Sequence, residues 1–227
     1  MQTETHAMKL GVCVDSTMEP VCLAWTMTAL ERLRQKLART STLRHCMELA
    51  VLGFDEIGFT IQPLAPLEQC GPLPPCMPYA GRWIRSTVIR YPTFGCSLMT
   101  NAILKPALDA AAEHGTPTHT VLVLLTQRVS PEARLFSGVL TKEQMGGLSL
   151  LELFALNMIG HPKAGGVTLV PFCVNAPAQQ VLAVNTSAGY PAVSVPVYQL
   201  DACFDRLRLL LLRILSYAPG KAPVVED

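Results

Sequence analysis

The stretch THTVLVLLT at residues 118–126 constrains this chain more than any other. Its apolar residues run from Val121 to Leu125 without alternation, and threonines and a histidine bound them. A strand with one wet face alternates polar and apolar side chains. A strand that does not alternate is buried on both faces, which is the situation of a central strand in a parallel sheet covered from each side. A second run of the same kind, GGVTLVPFCV, occupies residues 165–174. Two such strands in one chain call for connections long enough to cross over the sheet, and crossovers of that length are usually helical.

The intervening sequence supplies them. MKLGVCV at residues 8–14 reads as a strand, followed over residues 19–39 by a helix with apolar positions at Val21, Leu23, Trp25, Met27, Leu30, Leu33 and Leu37. Pro20 stands in its first turn, where a missing N–H costs nothing. Residues 45–54 read as a second strand and residues 58–64 as a third, in hairpin relation to it at the sheet edge. Helices are expected at 97–115, where Pro106 kinks or divides the element, at 149–160, and at 200–215; a short helix fits 176–185 and a short last strand 191–198. This order predicts an α/β fold: an open, doubly wound, mostly parallel sheet with helices on both faces and one antiparallel edge strand. No internal repeat or true linker interrupts residues 1–227, so a single domain is expected.

Composition narrows the function classes. Half of the residues are hydrophobic and 15% are charged, well under the usual quarter, which excludes intrinsic disorder. A net charge of +1 gives no footprint for nucleic acid. The longest aliphatic run, at 207–215, is too short for a bilayer and carries Arg208 and Arg213, so no membrane association is expected. No targeting segment is recognisable in the first residues, and the chain reads as cytoplasmic. The eight scattered cysteines read as small buried hydrophobes rather than a disulfide framework.

In open α/β sheets, ligands approach the carboxyl ends of the strands. There the chain offers Asp15, Ser16 and Thr17 after the first strand, Thr126, Gln127 and Arg128 after the 118–126 strand, and Ser97 at the start of a helix. Carboxylate and hydroxyl oxygens suit Mg²⁺ or Ca²⁺, and the plainer reading is that Asp15 or Ser16 caps the following helix. Arg128 opposes a divalent cation, and Gln127 stands where a further acid would be needed. A zinc site at Cys70 and Cys76 would need Cys96 or His114 to join.

Taken together, these residues resemble a von Willebrand factor type A domain, closest to the bacterial stand-alone kind associated with tellurite resistance and stress response. GVCVDST resembles its first strand and the start of the metal-ion-dependent adhesion motif. ELAVLGFDEIGFTIQPLAPLE resembles its second and third strands, FGCSLMTNAILKPALDAA its threonine loop and helix, and HTVLVLLTQ the strand that ends in Thr-Asp-Gly. The resemblance assigns Asp15, Thr17, Ser97 and Gln127 to the metal positions. It also shows where the pattern is broken: the second serine of the first motif has no counterpart, and Gln127 replaces the last aspartate. A degenerate site without a bound cofactor is the resulting expectation, with Mg²⁺ or Ca²⁺ as the alternative.

Residues 67–94 exceed what such a fold needs and form an inserted arm rich in Pro, Cys and Arg. Its side chains Trp83, Arg85, Arg90 and Tyr91, with Ser16 and Arg128 on the adjoining rim, are the expected contacts to a protein partner, since Trp, Tyr and Arg dominate interface anchors. The plainer reading folds the arm back over the sheet edge with Trp83 buried. The function expected is non-catalytic protein–protein interaction, with homo-oligomerisation through the arm or the last helix left open. The alternatives are a Mg²⁺- or Ca²⁺-dependent adhesion or scaffold module, and a hydrolase built on Cys96 or Ser97. The hydrolase needs a basic partner, and His114, His119 and His161 all fall at the opposite edge of the sheet. No Gly-x-Ser-x-Gly elbow is present, and GHPKAGG lacks the spacing of a phosphate loop.

Overall fold

The computed structural model describes residues 7–16, 18–54, 58–75, 118–127, 167–175 and 193–217. Six strands are found among them: β1 (Ala7–Asp15), β2 (Met47–Phe54), β3 (Gly58–Pro66), β4 (Thr118–Thr126), β5 (Val167–Val174) and β6 (Val193–Val195). They form one sheet in the order β3-β2-β1-β4-β5-β6. β1 lies at the centre, parallel to β2 and to β4, with Val14 beside both Gly53 and Leu125. β5 and β6 continue the parallel set. Only the β2–β3 pair is antiparallel, from Glu48↔Pro66 to Phe54↔Gly58, with the register shifting on either side of Val51. Pro63 and Pro66 sit in β3, where an edge strand tolerates the loss of N–H groups.

Three helices accompany the described strands: α1 (Pro20–Arg39), α2 (Ser41–Cys46) and α3 (Leu200–Leu215). α1 and α3 pack side by side on one face of the sheet. Beneath them Met8, Leu10, Val12 and Val14 of β1 share a core with Val121, Val123 and Leu125 of β4. Phe204 of α3 meets Phe172 of β5 edge-to-face, with ring centroids 6.0 Å apart. Arg32 pairs with Asp201 and Lys36 with Asp205, so the two helices run in the same direction. The intervening positions Cys13, Ala50, Leu52, Leu122 and Cys173 are buried as well. Both faces of the central strands are therefore largely dry, which is the physical reason the 118–126 run does not alternate.

The expected open α/β architecture is thus the observed one. The 118–126 strand has the bounds read from its sequence. Three local expectations are corrected. The second strand begins at Met47 instead of residue 45, because residues 41–46 form α2, a helix too short to show a period and with Leu43 as its one buried residue. The expected loop after residue 64 begins later: β3 runs to Pro66, and one 3₁₀ turn, Leu67–Gln69, follows. The last strand shrinks to Val193–Val195, and Val197–Gln199 is a 3₁₀ turn leading into α3. The helices expected at 97–115, 149–160 and 176–185, and the arm from residue 76 onward, lie outside the described residues.

The beginning of the arm is described and is fastened to the body. Leu67, Cys70 and Leu73 are buried. The Leu73 N–H donates to Glu31 Oε2 at 2.9 Å, and Arg34 Nη1 donates to the Cys70 carbonyl at 3.1 Å. Arg34 and Glu31 are themselves paired through two hydrogen bonds, of 2.8 and 2.7 Å.

Candidate functional site

The parallel strands bring Asp15, Thr126, Gln127 and Asn175 to one end of the sheet, where α1 also begins. Asp15 is fully buried at the end of β1, and the Thr126 hydroxyl of the neighbouring β4 donates to its Oδ2 at 2.8 Å. Ser16 is buried too, at 3% exposure, so its side chain lies beneath the rim rather than on it. The turn from β1 to α1 is held from across the sheet: the Glu19 N–H donates to Gln127 Oε1 at 2.8 Å. Glu19 is the residue before α1, and the helix takes no side-chain cap of its own.

Asn175, directly after β5, has φ of 52°, a left-handed conformation that Asn tolerates better than most residues. That conformation turns the chain so that its N–H donates to the Val195 carbonyl at 2.9 Å while its Oδ1 accepts the Val197 N–H at 2.9 Å. Its amide nitrogen also lies 3.9 Å from Cys22 Sγ on α1. Burial pushes the Cys22 thiol up; a hydrogen bond with Thr26 acts against this, and the charges of Glu19 and Asp15 add to it. A thiol held protonated in this way is a poor nucleophile. Cys173, further along the same end of the sheet, is pushed to about 11 by burial. The six cysteines among the described residues are unpaired, and Cys13, Cys22, Cys70 and Cys173 are buried.

Of the residues expected at the site, Asp15 and Gln127 are brought to the same rim. Thr17, Ser97, Trp83, Arg85, Arg90, Tyr91 and Arg128 lie outside the described residues. His119, considered as a catalytic base, is at the start of β4 in register with Met8, at the far end of the sheet from Asp15. It is 4% exposed and its Nε2 lies 2.9 Å from the Tyr217 carbonyl. Among the described residues no group of three or more His, Cys, Asp or Glu is placed to hold a metal ion, and no helix is long and apolar enough to cross a membrane.

Two residues assigned to the buried face of α1 are corrected. Val21 is 71% exposed and Trp25 51% exposed. With Leu23, Met27, Leu30 and Leu37 as the buried spine, steps of about 100° per residue carry Val21 and Trp25 round to the outer side. Counting angles rather than apolar residues would have found them. Trp25 lies two turns before Arg32 on the flank that meets α3, and Tyr198, 72% exposed, lies three residues before Asp201, the partner of Arg32. The turn carrying Tyr198 packs against α1. The rim end of this helix pair therefore exposes aromatic and aliphatic side chains, and α1 carries no charged residue between Glu19 and Glu31.

No family model matches the chain, and no curated protein sequence does. Solved structures do match. The vWF domain of the type V pili tip protein Mfa5 from Porphyromonas gingivalis is 11% identical with a TM-score of 0.55, over 99% of this chain and 100% of that one. The pilus adhesin SpaC from Lactobacillus rhamnosus GG, in an open conformation, is 10% identical with a TM-score of 0.55, over 94% of this chain and 30% of the adhesin. Proximal thread matrix protein 1 from the mussel byssus is 12% identical with a TM-score of 0.52, over 90% of this chain and 48% of the mussel protein. The chain thus spans under half the length of two of these proteins and the whole of the third. At such identities the likeness is one of fold, and the fold is von Willebrand factor A-like. The expectation of a cytoplasmic protein is corrected by these matches, which are a pilus tip protein, a pilus adhesin and a byssus thread protein.

Proposed function

We propose that this chain is a non-catalytic protein-interaction module of a cell-surface or extracellular assembly, that it meets its partner at the carboxyl-end rim of the sheet, and that it does so without a divalent cation. The observation that carries this reading is the exposure of Val21, Trp25 and Tyr198 at the rim end of α1 and α3. Removing a half-exposed aromatic side chain from water on docking is worth roughly 2 kcal/mol, and a few such anchors supply most of the affinity of an ordinary interface. Trp83, Arg85, Arg90 and Tyr91 of the arm, with Arg128, are further contacts in this reading. The pilus and byssus proteins that share the fold support the setting. Ser16 takes no direct part, since it is buried.

Affinity capture from a cell-surface extract tests the reading with three baits: the native chain, a Val21→Ser/Trp25→Ala variant and a Trp83→Ala/Arg85→Ala variant. The first variant is expected to lose the captured partner and the second to weaken it. Capture unchanged by both would remove the rim and arm as the interface.

A further inference from the structure

We infer that the strand-end rim of this chain is tied shut by its own side chains, with Gln127 fastening the β1–α1 turn in place of a bound divalent cation. A hard cation at this end of the sheet would need about six oxygen ligands, several of them charged and open toward a common point. Two oxygens of the described rim are already engaged with protein donors. Asp15 accepts the Thr126 hydroxyl at 2.8 Å, and Gln127 Oε1 accepts the Glu19 N–H at 2.8 Å. To turn Gln127 toward a cation would take its oxygen from the Glu19 amide just ahead of α1 and leave that amide to water, at the cost of the roughly 1 kcal/mol that a typical intramolecular hydrogen bond returns.

The ties form a connected set. Gln127 and Thr126 link β4 to β1 and to the turn after it. Asn175 links the end of β5 to β6 and to the Val197 amide that leads into α3. Cys22 Sγ, 3.9 Å from the Asn175 amide nitrogen, brings the first turn of α1 into the same set. Strand ends on β1, β4 and β5 are thereby held in one arrangement by neutral amide and hydroxyl groups around the buried carboxylate of Asp15. The rim is preformed, and its shape is insensitive to Mg²⁺ and Ca²⁺.

The test uses the full chain and reads the hydrogen bond itself. Amide exchange of Glu19 is followed by NMR in EDTA and again in about 10 mM Mg²⁺ or Ca²⁺, a concentration that saturates even weak extracellular-type sites. Protection of Glu19 is expected to be the same in all three. Gln127→Leu, at a half-buried position the sheet does not depend on, is expected to speed Glu19 exchange about tenfold while leaving β1 and β4 amides unchanged. Gln127→Glu retains an acceptor oxygen and is expected to keep the protection. Protection that appears only with the cation, or that survives Gln127→Leu, overturns the inference, as does calorimetric binding of either ion below about millimolar concentration. Partner capture is not part of this readout, so its failure is separate from failure of the proposed interface.

Discussion

At the scale of single residues, Glu31 shows how one carboxylate organises a segment remote in sequence. Burial pushes its carboxyl up, but hydrogen bonds from Arg34, the Leu73 amide and Gln35, with the charge of Arg34, outweigh burial and bring it from the ordinary 4.5 to about 2. A carboxyl lowered on folding adds stability that is complete above its unfolded value and fades as pH falls toward the folded one. Glu31→Gln is therefore expected to cost about 1–2 kcal/mol at neutral pH, and the gap from the native chain is expected to close between pH 4.5 and about 2. Urea unfolding across that range checks it; a gap that does not change with pH would mean the ionised carboxylate is not the source. Nothing near Glu31 in the sequence announces this role, because its amide partner is Leu73, reached only after two strands and a turn have formed. Asp15 was legible as a strand-end carboxylate. That Gln127 spends its oxygen on Glu19 was not, since the two are 108 residues apart.

At the scale of elements, α1 divides into an inner face packed in the core and an outer face exposed to water. Leu30 is 2% exposed and lies in the core shared with the sheet, so Leu30→Ala is expected to cost about 2–5 kcal/mol. Trp25→Ala removes a side chain that is half in water and is expected to cost less than about 1 kcal/mol. Denaturant midpoints of the two variants separate the faces, and equal losses would mean Trp25 is packed as a core residue. The buried strands were readable from their unbroken apolar runs, and β4 to the residue, because a strand dry on both sides has a pattern few other elements share. Short elements were not. α2 and β6 each offer too few residues for a period, and their type is settled by what they connect.

At the scale of the whole molecule, a sheet with both faces buried accounts for the excess of aliphatic over charged residues, and the charge shortage recurs on the outer first half of α1. A rim tied by its own side chains predicts a melting temperature indifferent to divalent ions. EDTA or about 10 mM Mg²⁺ is expected to move it by less than about 1 °C, whereas a site of 0.1 mM dissociation constant would add about 2.7 kcal/mol and several degrees. Differential scanning calorimetry decides between these. The cytoplasmic reading rested on local features of the first residues, and what stands against it is the pilus and byssus setting of the proteins that share the fold.

Hydrophobic run lengths and their spacing determined the architecture by themselves, because burial of a strand or a helix face is a local property that leaves a local pattern. Tertiary structure alone decided which polar groups meet. Asp15 with Thr126, Glu19 with Gln127, and Glu31 with Leu73 are pairings between elements distant in sequence, and a hydrogen bond made at 2.8 or 2.9 Å depends on register that no single segment encodes.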